Sequence, residues 1–268
     1  MPEDFSKYNG EGTMLRKAQL RMLDILVAID KICRKHNINY FLDGGTLLGA
    51  VRHKGFIPWD DDVDIMVFKK DYKKLRKILI AELPEQYFFS DITTNKYHIC
   101  GFAKVKDRNS VVEGAILDKS KFQGVFVDIF TCSYAYSSKF RKLVNFFHRR
   151  VHRELFLNGD IFCKSRFRRG FNFAIALTSF PFVYLLFFFH KILAAMKNNR
   201  LLSYDLITTH VTYPEDIFYP PIEIEFEGKM FLCVNNTDKY LSILYGNYLQ
   251  IPPEEKRATH ATKIEIND

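Results

Sequence analysis

Cysteine is scarce in this 268-residue chain: Cys33, Cys100, Cys132, Cys163 and Cys233 are odd in number, widely spaced and form no C-x-x-C pair. That pattern argues against a disulfide scaffold or a zinc site and points to reduced thiols in a cytosolic compartment. Repeats and low-complexity linkers are missing too. With 47% hydrophobic and 26% charged residues, the composition excludes collagen-like and disordered classes. The apolar content suffices for a substantial core, in one large domain or two small ones. No signal peptide is expected, because residues 1–13 are polar and the first amphipathic stretch is heavily charged.

Acidic residues are nearly missing from one segment. Between Lys139 and Arg169, ten Lys and Arg face only Glu154 and Asp160, an excess equal to the whole chain's net charge of +8. The run Phe171–Phe189 follows, nineteen residues without a charge and rich in aromatics. A basic block abutting an apolar run suits an anionic membrane surface. Nucleic acid calls for basic residues interleaved with stacking aromatics on a polar face, so no nucleic-acid partner is expected. The run is near the lower end of the roughly 17–25 residues that span a bilayer. Pro181 interrupts it, Asn172, Thr178 and Ser179 dilute it, and basic residues flank both ends (Arg166, Arg168, Arg169; Lys191, Lys197, Arg200). These features favour an interfacial or re-entrant helix over a spanning one. A buried core helix is the remaining alternative.

Residues 14–36 carry apolar positions at Leu15, Met22, Ile25, Leu26, Ile29 and Ile32, an amphipathic helix. A short strand is expected over 39–42, a helix capped by Thr46 running to about His53, and a strand over 63–68 after Pro58. Lys69–Leu83 reads as a helix ended by Pro84, and Tyr87–Ile92, His98–Lys106 and Gly124–Phe130 as strands. The order indicates an α+β fold (an α/β mixed sheet) with a core over 14–135. A basic, apolar helical insertion is expected over 136–200. Residues 201–268 then complete the core: a hairpin over 222–234 turning at Glu227-Gly228, a helix over 237–245 stopped at Gly246, and a charged tail after Pro252-Pro253.

The sharpest local string is Gly44-Gly45-Thr46-Leu-Leu-Gly49-Ala-Val-Arg52-His53-Lys54-Gly55-Phe-Ile-Pro58-Trp59-Asp60-Asp61-Asp62-Val63-Asp64-Ile65. Glycines at a strand-to-helix turn let backbone N–H groups approach a phosphate. Four aspartates within five residues repel one another unless a cation neutralises them. On a strand, Asp62 and Asp64 share a face, so the pair can grip a divalent ion. Asp128, isolated in the apolar run 124–130, needs a partner if buried, and the same metal site is the cheapest one. Arg52, Lys104, Lys256 and Arg257 are candidates to meet donor phosphates. Trp59 is a candidate to stack on a base, enclose a quaternary ammonium or simply pack the turn. His53 and His260 read more simply as structural histidines.

Gly-Gly-Thr, Asp-Val-Asp and a later strand Asp resemble the nucleotidyltransferase superfamily pattern. Sixteen residues separate Gly45 from Asp62, slightly more than that superfamily generally allows. The full string resembles something narrower, the LicD family of phosphocholine transferases, related to the fukutin group. Phe102-Ala-Lys104-Val-Lys106-Asp107-Arg108-Asn109, Val125-Phe-Val-Asp128-Ile-Phe130, Phe226-Glu-Gly228, Tyr240-Leu241, Tyr245-Gly246-Asn-Tyr248 and Pro252-Pro-Glu-Glu-Lys256-Arg257 extend the likeness. It covers about 15–135 and 222–260. The zinc-binding cysteines of some fukutin relatives have no counterpart in Cys100, Cys132 and Cys233.

The resemblance implies transfer of a substituted phosphate from a CDP-alcohol donor to a hydroxyl on a lipid-linked or surface glycan. Asp62, Asp64 and Asp128 would be the catalytic carboxylates and ligands of Mg2+ or Mn2+, a pair of ions clamping attacking and leaving oxygens. Asp128 would also be the candidate proton acceptor. Asp60 and Asp61 would cap or orient, and Gly44, Gly45, Thr46, Arg52, Lys104, Lys256 and Arg257 would bind the donor. Two alternatives are a nucleotidyltransferase using a nucleoside triphosphate and a non-catalytic membrane-attached scaffold. The expected location is cytoplasmic, peripheral to the inner face of the plasma membrane.

Overall fold

Thr13 starts the first long helix, its Oγ1 accepting the Arg16 N–H at 3.2 Å. In this computed structural model, a one-turn helix Ser6–Asn9 (α1) precedes Met14–Lys35 (α2). Ala18, Met22, Ile25, Leu26, Ile29 and Cys33 of α2 are buried at helical spacing, the stripe the sequence predicts. The structure describes residues 4–95, 98, 100–114, 123–143, 145–146, 166–196, 200–205 and 211–266. They divide into two units, Met1–Thr131 with Asp216–Asp268, and Cys132–Glu215.

The first unit is α+β. Its elements run Tyr40–Leu42 (β1), Gly44–His53 (α3), Asp64–Phe68 (β2), Lys69–Glu82 (α4), Tyr87–Ser90 (β3), Ala103–Asp107 (β4), Ser110–Gly114 (β5) and Phe126–Ala135 (β6), of which the end from Cys132 belongs to the second unit. The strand order is β1-β2-β6-β4-β3. β4 and β6 are antiparallel, with Lys104 opposite Asp128. Phe41 packs edge-on against Phe68 and Phe218, building the core on one side of β1 and β2.

Two expectations need correction here. Asp43, not Thr46, caps α3: its side chain accepts the Gly44 N–H, so the helix begins three residues earlier. Asp62 lies just before β2 rather than on it, because the strand begins only at Asp64.

The two-residue Glu227-Gly228 turn joins Ile222–Phe226 (β9) to Lys229–Cys233 (β10), both turn residues having positive φ, +52° and +69°. Asn236 caps the helix Thr237–Tyr245 that follows, accepting the Lys239 N–H at 2.9 Å. The expected charged tail is instead a short turn, Glu254–Lys256, and a strand, Ala261–Ile266 (β11), antiparallel to β5. Alternating Ile264 and Ile266 supply its strand pattern, but its partner lies some 150 residues earlier and is invisible to local periodicity.

In the second unit, Cys132–Ala135 pairs with Leu201–Tyr204 (β7), which pairs with Tyr213–Pro214 (β8). The helix Arg166–Ala195 (α5, the helix Thr237–Tyr245 being α6) contains Pro181. Its segment Gly170–Ala195 is long and apolar enough to cross a membrane by length and composition, and only 12% of its most apolar window is buried. Among the described residues little covers it: Phe171, Leu177, Phe182 and Phe188 are all more than half exposed. Much of the basic block, including Arg149, Arg150, Arg153 and Lys164, lies outside the described residues.

Candidate active site

The site is built where β1 hands over to α3. The Asp43 N–H donates to the Asp64 carbonyl at 3.0 Å, and Thr46 Oγ1 accepts the Asp64 N–H at 2.8 Å. Thr46 therefore ties the start of β2 to α3 instead of capping a helix. Gly44 has φ +51°, and a Cβ added there would lie 2.6 Å from Asp64 Oδ2. At Gly45 a Cβ would lie 2.6 Å from Asp60 Oδ2. The glycine pair thus makes room for carboxylates. The positive end of the α3 dipole favours this gathering of negative charge.

Asp60, Asp62 and Asp64 are half-buried, while Asp128, on the strand beside β2, is buried. Burial raises the pKa of Asp60 well above the usual range, and the neighbouring charge of Asp62 raises it further. Asp64 is raised likewise, by burial and then by Asp62, Asp128, Asp43 and Asp60. Asp62 is raised by burial and by Asp61, with Lys104 and His260 opposing. Burial pushes Asp128 up to about 6, against the pull of Lys104. The donor chemistry fits a hard divalent cation: all oxygen, all anionic and mutually repelling. The side chains are not gathered as ligands in this conformation. Among the described residues no three His, Cys, Asp or Glu stand in a coordinating arrangement. Asp128 Oδ1 instead accepts from Lys104 Nζ at 2.5 Å, and that ammonium also lies 3.4 Å from the Phe126 ring centroid. Lys104 and Asp128, read from sequence as phosphate and metal groups, are each other's partners.

Asp61 has a different task. Its Oδ1 accepts the His260 N–H at 3.0 Å and contacts the His260 ring at 3.1 Å, while Oδ2 accepts the Ala261 N–H at 2.5 Å. It pins the start of β11.

The remaining cations are distributed unevenly. Arg52 lines an open pocket of about 310 Å³ with Gly45, Trp59, Asp60, Tyr245 and Tyr248. Its Nη1 donates to the Tyr248 carbonyl at 3.1 Å, and its Nε donates to His53 Nε2 at 2.9 Å. His53 has its pKa lowered to about 4 by burial and by Arg52, so it is neutral at pH 7 and able to accept that bond. Arg257 lies over Trp59 at 5.1 Å and over Phe5 at 5.5 Å. Phe5 and Tyr8 pack edge-on against Trp59, which is 7% exposed, so the indole mainly packs the turn. Lys256 is exposed, and its ammonium makes no ion pair among the described residues.

Three groups given no role by the sequence also belong here. Asp43 is buried and accepts from Tyr240 Oη at 2.5 Å. Tyr245, 45% exposed as a residue, lines the pocket, and local desolvation of its hydroxyl together with the negative charges of Asp43, Asp64, Asp60 and Asp62 raises its phenol pKa. Lys106 is buried two residues from Lys104 and acts electrostatically on Asp128. In sequence, the string Tyr240 to Tyr248 carries a family likeness but nothing that marks the chemistry of its tyrosines.

The profile of the family described as LicD/FKTN/FKRP, nucleotidyltransferase domain, matches residues 37–162. The chain is 30% identical over 259 residues to the lipopolysaccharide cholinephosphotransferase LicD of Haemophilus influenzae, covering 92% of this chain and 95% of that protein. An uncharacterized protein of Rickettsia prowazekii is 32% identical over 126 residues, 45% of each chain. The human ribitol 5-phosphate transferase FKRP is 44% identical over 45 residues, 17% of this chain and 9% of that protein.

Proposed function

Because the chain belongs to the LicD family, we propose that it moves phosphocholine, or a similar phospho-alcohol, from a CDP-linked donor to a hydroxyl of a lipid-linked or surface glycan. The observation that carries this reading is the recess itself. Asp60, Asp62, Asp64 and Asp128 press on one another electrostatically beside an open pocket that contains Arg52. The reading takes the core to be nucleotidyltransferase-like.

Asp62, Asp64 and Asp128 would hold Mg2+ or Mn2+, which when bound supplies neutralisation of the donor's pyrophosphate. The protein's own groups do the rest. Arg52 brings guanidinium charge to the pocket wall for a phosphate oxygen, with Arg257 over the neighbouring Trp59. Tyr245, on the pocket wall, offers its phenol O–H as a donor to the bound phosphate. Lys104 stabilises ionised Asp128, so that at neutral pH the carboxylate accepts the proton of the attacking hydroxyl. Thr46 and Asp61 hold the strand and loop that present the carboxylates.

A lipid-linked acceptor requires access to a membrane surface. The apolar α5 helix, with basic residues on both flanks in the sequence, supports peripheral attachment at the inner face of the plasma membrane.

The test is incubation with CDP-choline, CDP-ethanolamine, CDP-ribitol and CDP-glycerol, each with magnesium and a glycan acceptor, and measurement of CMP. Release of CMP with one donor is the expected result. Pyrophosphate released from a nucleoside triphosphate would mark nucleotidyl transfer instead. No turnover, together with no magnesium-dependent thermal shift, would leave a scaffold.

A further inference from the structure

Three side chains outside the carboxylate recess converge on the loop that leads into it. Arg16 of α2 donates from Nη1 to Glu227 Oε1 at 3.0 Å and from Nη2 to Oε2 at 2.7 Å. Glu227 Oε1 also accepts the Phe56 N–H at 3.1 Å, and the Glu227 N–H donates to the Lys54 carbonyl at 2.8 Å. Gly55 makes this approach possible, because a Cβ there would collide with the Glu227 carboxylate. One turn further along α2, fully buried Gln19 donates from Nε2 to the Asp60 carbonyl at 2.9 Å. Gln19 is itself held by Asn9 Nδ2, which donates to its Oε1 at 2.9 Å. The loop is therefore gripped at Phe56 and again at Asp60, both times by groups tied to α2.

A hairpin turn demands only residues that tolerate positive φ. It does not demand a carboxylate turned inward onto a half-buried arginine, an arrangement that costs desolvation and is weak evidence of added stability. The two-point geometry does fix position, since a planar guanidinium fork binds a carboxylate in one orientation.

We propose that Arg16, Gln19 and Glu227 are positioning residues that set the course of the loop Phe56–Asp62, and through it the placement of Asp60 and Asp62. The inference rests on the reading that those carboxylates work together at the site. Two measurements test it on Glu227→Ala, Glu227→Gln and Gln19→Leu in the full chain, well below each variant's melting temperature. One is hydrogen exchange of the amides of 56–62 in metal-free protein, and the other is Mn2+ affinity by titration calorimetry.

Glu227→Ala and Gln19→Leu should each speed exchange in 56–62 while β1 and β4 stay protected, and should weaken Mn2+ binding by about tenfold. Glu227→Gln, which keeps one oxygen to accept from Phe56 and Arg16 Nη1 and loses the Arg16 Nη2 bond, should fall between wild type and alanine. Lower melting temperatures with unchanged loop exchange and unchanged Mn2+ affinity would make the trio a mere strut and overturn the proposal. If Glu227→Ala does not fold, Glu227→Gln and Gln19→Leu decide by the same two readings. Wild-type protein that binds no Mn2+ would sink the metal reading alone, and loop exchange would still decide the brace.

Discussion

In the first unit charge is taken inside. Lys104 is 2% exposed and Asp128 is 5% exposed, and the two meet across neighbouring strands at 2.5 Å. In the second unit apolar surface is left outside, with Phe171 61% and Phe188 60% exposed along one helix. Each is unfavourable in isolation, since a buried charge loses its hydration and an exposed aromatic orders water. The carboxylate recess holds most of its compensation within its own unit, in Lys104, Tyr240, Tyr245 and the start of α3. Among the described residues the long helix has no such compensation, and the proposed membrane surface would supply it. On the proposed function, the buried charge is the seat of the chemistry and the exposed hydrocarbon is the side that meets the membrane.

The largest effect that would break this contrast is at Asp64. Asp64→Asn would remove one of the carboxylates proposed to hold the metal and should lower CMP release by at least about a thousandfold. It also relieves repulsion, so the metal-free melting temperature should hold or rise. Near-normal turnover at saturating magnesium would show that the recess is not the seat of the reaction. Asp62→Asn should behave in the same way.

Next comes the cross-strand pair. Asp128→Asn should lower kcat by about 10²–10⁴-fold, and by stranding Lys104 it should destabilise the fold by about 3–5 kcal/mol. Adding Lys104→Met to Asp128→Asn should restore much of the stability, measured by urea unfolding, and none of the turnover. Recovery of turnover in the double variant would demote Asp128 to a structural carboxylate.

On the other side of the comparison, replacing Arg166, Arg168 and Arg169 together with Gln should weaken binding to phosphatidylserine vesicles. At about 1 kcal/mol for each basic residue near an anionic surface, the loss is about a hundredfold at low salt and less at high salt. Co-sedimentation measures it. Wild-type protein that ignores such vesicles would remove the membrane from the account.

The smallest expected effect is a pair of opposed pH dependences. Asp60, Asp62 and Asp64 have raised folded pKa values, so their contribution to stability is fully present below the unfolded value near 4 and is lost as pH rises through the folded values. Metal-free protein should therefore gain stability from pH 7 to pH 5. Asp91 is the reverse: burial would raise it, but Arg76 at 2.6 Å and the Thr93 and Thr94 hydrogen bonds outweigh that and hold it well below the usual range. Its contribution is present above the unfolded value near 4 and is lost as pH falls further. Asp91→Asn should flatten only that acid limb, followed by denaturant midpoints between pH 2 and 7.

Much of the scaffold was readable because it is local. The α2 stripe, the Pro84 stop of α4 and the Glu227-Gly228 turn each follow from spacing or from one residue's backbone preference. The acid-rich loop was readable for the same reason, since repulsion among Asp60, Asp61, Asp62 and Asp64 is visible in one dimension. What stayed hidden is pairing across long separations. Nothing near Lys104 in sequence announces Asp128 as its partner, and nothing near Asp61 announces residues 260 and 261. Tyr240 and Tyr245 read as ordinary helix residues until α6 is seen to bring them to Asp43 and Asp64. Thr46 looked like a helix cap because its type suits one, yet Asp43 had the better position.

The pin between Asp61 and the start of β11 bears on the order of events during synthesis. It joins residues 199 and 200 positions apart. Closing so long a loop is among the costliest steps for chain entropy. A nascent chain that has emerged only to residue 250 already displays every aspartate of the recess, yet lacks the strand that holds the acidic loop at Asp61. Assembly of the site is thus coupled to emergence of residues 260–266, and a ribosome paused before them would expose an acidic loop not yet fastened at Asp61.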